Sequence, residues 1–251
     1  MSVDMYEYRF IEELKAVDEF HPNDTRDPRV WPRRGSSVGE FPAWRALFSA
    51  LCLHHHSTGY RLFSYEEFFT FCENAYTAKH PQRARFRRYF HGELRAGMRQ
   101  RVGVWYESGM AETYLYACLV EALEDKAKVG VVLYDPRADW KLKSDIVVHM
   151  KGHAMRISAY VGPSEERPRI EQKRDDIERM RKLKTAESAH WGNETLEKMP
   201  LFEIQITEED MQVVNGLRLF STSSINRLLN QLYSYAGIGQ DRWFFPTQRV
   251  R

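Results

Sequence analysis

The chain has 251 residues, of which 43% are hydrophobic and 29% charged, a composition suited to a folded globular protein and too apolar for a disordered one. Its 37 Lys and Arg against 35 Asp and Glu leave a formal charge of +2, so no single-sign field dominates the whole molecule. No apolar run approaches the roughly 20 residues that a membrane-spanning helix needs, and the opening MSVDMYEYRFIEEL lacks the basic start and apolar stretch of a secretory signal.

Three cysteines, Cys52, Cys72 and Cys118, are an odd number in a chain of this size and argue for a reducing, cytoplasmic setting rather than a disulfide scaffold. The length allows one large domain or two small ones.

In chain order, residues 5–20 are expected to form a short helix, stopped by His21-Pro22-Asn23-Asp24. With Pro22, Pro28, Pro32 and Pro42, residues 1–42 read as an extended arm. Residues 43–104 read as a helical, basic region. Trp44, Leu47, Phe48, Leu51 and Cys52 form a stripe at helical spacing. Ser64-Tyr65-Glu66-Glu67 has the form of a capping box and opens a helix that points Phe68, Phe71, Cys72 and Ala75 inward. Residues 82–101 are a third helical candidate, weakened by Gly92 and Gly97. A fourth helix is expected from Ser108 or Gly109 to Lys126, apolar on more than one face.

Beyond it the pattern becomes extended. Short β-branched runs at 129–134 and around Ile146-Val147-Val148, then alternation through Met155, Ile157, Ala159 and Val161, predict three strands. The tight turn at Lys151-Gly152-His153 makes the second and third an antiparallel hairpin. A charged helix over 168–184 leads to a fourth strand at 201–206, which a helical connection places as a parallel crossover. A final helix over 224–235 precedes an aromatic tail, Trp243-Phe244-Phe245-Pro246.

Helix, three strands, helix, strand: the α-β-β-β-α-β order of residues 105–251 resembles the core of the PD-(D/E)XK, restriction-endonuclease-like nuclease superfamily. That resemblance implies an α+β or α/β domain with a mixed sheet following a helical N-terminal region. It also implies Mg²⁺-dependent phosphodiester hydrolysis, in which carboxylates hold the ion and a lysine stabilises developing charge. Asp145, opening Ile146-Val147-Val148, matches the family's strand-mouth aspartate, with Ser144 where proline is usual. Glu112 matches the first-helix glutamate; its other reading is an acid capping the start of the fourth helix near Ser108.

The third strand departs from the family pattern, offering Arg156, Ser158 and Tyr160 along a cleft instead of an acid and a lysine. Glu171-Gln172-Lys173 lies on the next expected helix, so Lys173 is the candidate for a relocated lysine; Asp139-Trp140-Lys141 also matches the letters but comes too early. For both, a solvated charged surface is the plain alternative. The resemblance therefore leaves two readings: a nuclease with a migrated site, or a nuclease fold that has lost cutting and kept binding to nucleic acid and to protein partners in a larger assembly.

The strongest binding signal is charge. Residues 79–101 hold eight positive side chains against Glu93 alone, among them Arg83, Arg85, Arg87, Arg88, Arg95, Arg99 and Arg101. Arginine forks fit phosphates, and Phe86, Tyr89 and Phe90 within the run would stack on unpaired bases. The expected partner is nucleic acid, DNA by the resemblance, and no membrane. The alternative is that these aromatics are core and the arginines pair with Glu66, Glu67 and Glu73. Cys52, His54, His55, His56 and Cys72 fit no common zinc spacing. Walker, dinucleotide-binding, kinase and serine-hydrolase motifs do not occur.

Overall fold

Short apolar runs and one tight turn account for the hairpin at the centre of the four-stranded sheet. In the computed structural model, residues 7–21, 61–79, 83–134, 144–161 and 199–246 are described. The helices expected at 43–52 and 168–184, Lys173, Asp139-Trp140-Lys141 and the Cys52/His54–His56 group lie outside them. Among the described residues are five α-helices and six strands, in the order α1 (Glu7–Lys15), α2 (Tyr65–Asn74), α3 (Arg83–Phe90), α4 (Arg95–Val120), β1 (Gly130–Leu133), β2 (Ile146–Met150), β3 (His153–Tyr160), β4 (Leu201–Gln205), β5 (Met211–Val214), β6 (Leu217–Phe220) and α5 (Thr222–Tyr235). Short π-helical turns extend α2 over Ala75–Lys79 and α4 over Glu121–Lys126. The protein is thus mixed α and β.

The chain divides into two compact units: Met1–Glu7, Tyr114–Gln212 and Arg218–Arg251 in one, Tyr8–Thr113 and Val213–Leu217 in the other. The division falls at 113/114, within α4.

The first unit holds a four-stranded sheet in the order β1-β2-β3-β4. β1 and β3 both run antiparallel to β2, and β4 is parallel to β3, as the hairpin and crossover arguments expect. Met150 pairs with His153 across Lys151 (φ 44°) and Gly152 (φ 80°), a two-residue turn whose left-handed pair matches the twist of the strands.

β1 is an edge strand, and helix side chains occupy its outward backbone groups. The Val132 amide donates to Glu124 Oε1 at 2.6 Å, and the Tyr116 hydroxyl donates to the Val132 carbonyl at 3.4 Å. An edge so occupied is blunted against pairing with another strand.

Helix α5 lies against β4 and buries Ile225, Leu228, Leu229, Leu232 and Tyr233, a stripe at helical period. Its N-cap Ser221 accepts from the Ser224 amide at 3.1 Å. Asp210 accepts from Ser221, from Ser224 Oγ at 2.7 Å and from Arg227. Burial raises the Asp210 carboxyl, but these three donors outweigh it and hold it below the usual carboxylate range. A depressed folded value means that this stability is complete above the unfolded carboxylate pKa, roughly 4, and fades as pH falls through the lower folded value. Asp210→Ala is expected to cost about 1–2 kcal/mol at neutral pH. In urea denaturation at a series of pH values, the difference from the parent protein should begin to narrow below about pH 4 and close as pH falls through the lower folded value.

The aromatic tail folds back on the same helix. Asn226 Nδ2 donates to the Phe245 carbonyl at 2.8 Å, and the Phe245 amide returns a bond to Asn226 Oδ1 at 3.0 Å. Phe245 is buried, and Phe244 meets Tyr233 edge-on at 5.5 Å. The tail is therefore part of this unit's packing.

The second unit is helical. The capping box forms as expected: Glu67 N donates to Ser64 Oγ at 3.2 Å, and Ser64 N donates to Glu67 Oε2 at 2.8 Å. Helix α4 begins at Arg95, well before the expected Ser108. Glycine in a helix costs about 1 kcal/mol, but Gly97, Gly103 and Gly109 are all buried, and packing overrides propensity. A Cβ at Gly103 would meet the Phe20 ring at 3.4 Å, so the missing side chain lets Phe20 sit against the helix. Phe20, Tyr65 and Tyr106 form a ring cluster with centroids 5.4 to 5.8 Å apart.

The β5–β6 hairpin was not among the expected elements. Its turn is Asn215-Gly216, with φ 51° and 78°. Asn215 Nδ2 donates to the carbonyls of Leu14 (2.9 Å) and Val17 (2.8 Å), closing the C-terminal end of α1.

Candidate nucleic-acid interface

The seven arginines of the basic run divide into two groups. Arg83, Arg85, Arg87 and Arg88 all belong to α3 and are exposed. Arg83, Arg85 and Arg87 make no ion pair among the described residues. Arg88 lies 3.6 Å from Glu93, with both side chains more than two-thirds exposed, so solvent screens that pair strongly. Phe86 and Phe90 turn the other way. Phe90 stacks on Tyr76 at 5.8 Å and lies 5.6 Å from Phe69, while Phe86 lies 5.1 Å from Tyr76. The expected base-stacking role of these two rings is corrected on that ground, because both are buried in the core. Tyr89 is half-buried.

Arg95, Arg99 and Arg101 are engaged within the unit. Arg95 donates to the Phe90 carbonyl at 2.8 Å, lies 3.7 Å from Glu73 and sits over the Phe69 ring at 4.9 Å. Arg99 bonds Glu66, at 3.0 Å for its NH1 nitrogen, and lies over Tyr65 and Phe69 at 5.1 and 4.7 Å. Arg101 is buried, with its guanidinium 5.3 Å from the Trp105 ring. The helix run expected over 82–101 is broken at 91–94, and this break separates exposed arginines from structural ones.

The residues expected at the sheet have structural bonds of their own. Asp145 is 3% exposed. Its amide donates to Ile157 C=O at 2.8 Å, one residue out of step with the Ile146–Ile157 pair, as in a bulge. Its Oδ2 accepts the Ala159 amide at 2.7 Å, so the carboxylate extends the β2–β3 ladder beyond the point where β2 backbone leaves it. Arg156, Ser158 and Tyr160, the expected cleft residues, are buried. Arg156 donates through Nε and NH2 to the Met199 carbonyl at 3.3 and 3.2 Å, and the Tyr160 hydroxyl donates to Glu203 Oε1 at 2.7 Å.

Glu203, on β4 beside Ser158, is an acid that the sequence reading passed over; its place in the alternation of 201–206 was the available signal. Glu112 is buried in the interior of α4, which removes the N-terminal cap as its explanation. As a Mg²⁺ ligand, Asp145 offers one carboxylate, and the ion would take much of its shell from water and substrate phosphate. Among the described residues no three His, Cys, Asp or Glu side chains gather to hold a metal ion.

The thiols of Cys72 and Cys118 are pushed up by burial and chemically quiet. A cavity of about 270 Å³ in the second unit is lined by Phe20, Tyr65, Arg99, Gln100 and Glu107 among others, below the usual size of a small-molecule site. Among the described residues no helix is long and apolar enough to cross a membrane. No protein-family model, curated protein or solved structure matches this chain.

Proposed function

We propose that this protein binds nucleic acid through α3 and acts as a non-cutting subunit whose sheet follows the element order of the PD-(D/E)XK nucleases. One observation carries the reading: four arginines project from a single short helix whose aromatic residues anchor it in the core. Guanidinium groups held by a fixed helix bind phosphate oxygens through paired donors, and each neutralised phosphate releases counterions. The bonds made by Asp145, Arg156 and Tyr160 support a structural part for the residues that would otherwise form a cutting site.

The test is binding of a labelled duplex by the parent protein and by a variant carrying Arg85→Gln, Arg87→Gln and Arg88→Gln. The variant should bind at least about tenfold more weakly. These side chains are exposed, so its thermal unfolding should shift little, the lost last-turn charges of Arg87 and Arg88 each costing well under about 1 kcal/mol. Equal affinity would remove the reading.

The catalytic alternative rests on Asp145 at the mouth of β2. Plasmid DNA incubated with Mg²⁺ or Mn²⁺ should stay intact. Nicking that disappears in Asp145→Asn would establish the alternative.

A further inference from the structure

We infer that α3 grips the phosphates of a duplex and reads no bases, so that the protein binds double-stranded nucleic acid without sequence preference and disfavours unpaired strands. The inference rests on the nucleic-acid reading above and narrows its ligand. Preference for single strands comes mainly from rings on which successive bases stack. On this helix Phe86 and Phe90 are buried against Tyr76 and Phe69 and Tyr89 is half-buried, so the fully exposed positions are Ala84 and the four arginines.

At about 100° per residue, Arg83, Arg87, Arg88 and Arg85 fan over an arc of roughly 200°, and they rise only about 7.5 Å along the axis. So broad a fan suits a helix laid along a charged ridge. A recognition helix in a groove instead directs a narrow row of side chains at base edges. Phosphate contacts fix position and carry no sequence information. A duplex also presents one charge per roughly 1.7 Å of axis, a denser target than one strand for a surface with no stacking contribution to offset the difference.

The experiment is fluorescence anisotropy on the full chain. The probes are two unrelated duplex DNAs and an oligo(dT) strand, each about 20 nucleotides long, over roughly 50 to 200 mM salt. Affinities for the two duplexes should agree within about twofold, and oligo(dT) should bind several-fold more weakly. With Arg83, Arg85, Arg87 and Arg88 as the contacts, log K against log salt should fall with a slope of about −3.6 on the duplex, and Arg85→Gln should reduce the magnitude of that slope by about 1. Oligo(dT) binding as tightly as duplex, or about a tenfold difference between the duplexes, would overturn the inference while leaving nucleic-acid binding in place. Failure to bind all three probes at the lowest salt would remove the underlying reading and the inference together.

Discussion

Gly216→Ala is expected to destabilise the fold by about 3 kcal/mol or more, whereas Gly152→Ala costs about 1–2 kcal/mol. Both glycines sit at the second position of two-residue hairpin turns, with nearly equal φ of 78° and 80°. The backbone conformation alone therefore penalises a side chain similarly at the two sites. The surroundings differ. A Cβ at Gly152 meets nothing within 4 Å; one at Gly216 would overlap the Phe20 carbonyl oxygen and stand 2.9 Å from its carbon. Backbone does not yield as a side-chain tip does, so the methyl would push the hairpin turn off the segment that follows α1.

That movement would also strain the Phe20 amide bond to Asn215 C=O, 3.1 Å long, and the Asn215 side-chain bonds to Leu14 and Val17. Phe20 in turn supports the ring cluster with Tyr65 and Tyr106. Urea denaturation of the two variants side by side measures the contrast. Equal losses would mean that the contact with Phe20 contributes nothing and that turn geometry alone sets the cost.

The same turn shows what sequence carried and what it hid. Asn-Gly between two short apolar runs is the strongest local hairpin signal, yet Met211–Val214 and Leu217–Phe220 are only four residues each, and the hairpin was missed. The Ser64 capping box and the α5 stripe were legible because their chemistry is local. The start of α4 was not, because Gly97, Gly103 and Gly109 argue against a helix until they are buried, as Gly103 is against Phe20.

The candidate interface was legible as charge and illegible as geometry. Composition counted seven arginines alike. Only tertiary structure shows that Arg95 and Arg99 engage Glu73 and Glu66, two of the three acids named in the alternative reading, while Arg83, Arg85 and Arg87 remain outward. The Asp145 bond to Ala159 likewise joins the residue before β2 to β3 and depends on register, which a periodic pattern does not encode.

Asp145 then supplies the sharper test of whether acids in this sheet were kept for chemistry or for folding. Asp145→Ala is expected to destabilise the protein by about 2–4 kcal/mol, since it removes the acceptor of a buried backbone amide and leaves that amide without a replacement. Asp145→Asn presents a carbonyl oxygen of similar reach to the Ala159 amide and should lose only about 1 kcal/mol. A ligand of a divalent ion behaves differently, because a neutral amide is a poor substitute for a carboxylate at a hard cation. Denaturation and DNA affinity measured together on both variants separate the roles. If the carboxylate serves the ladder, the asparagine variant folds and binds DNA as the parent does, and only the alanine variant suffers. If both variants lose stability equally, negative charge rather than an acceptor is what the site requires, and the structural assignment of Asp145 fails.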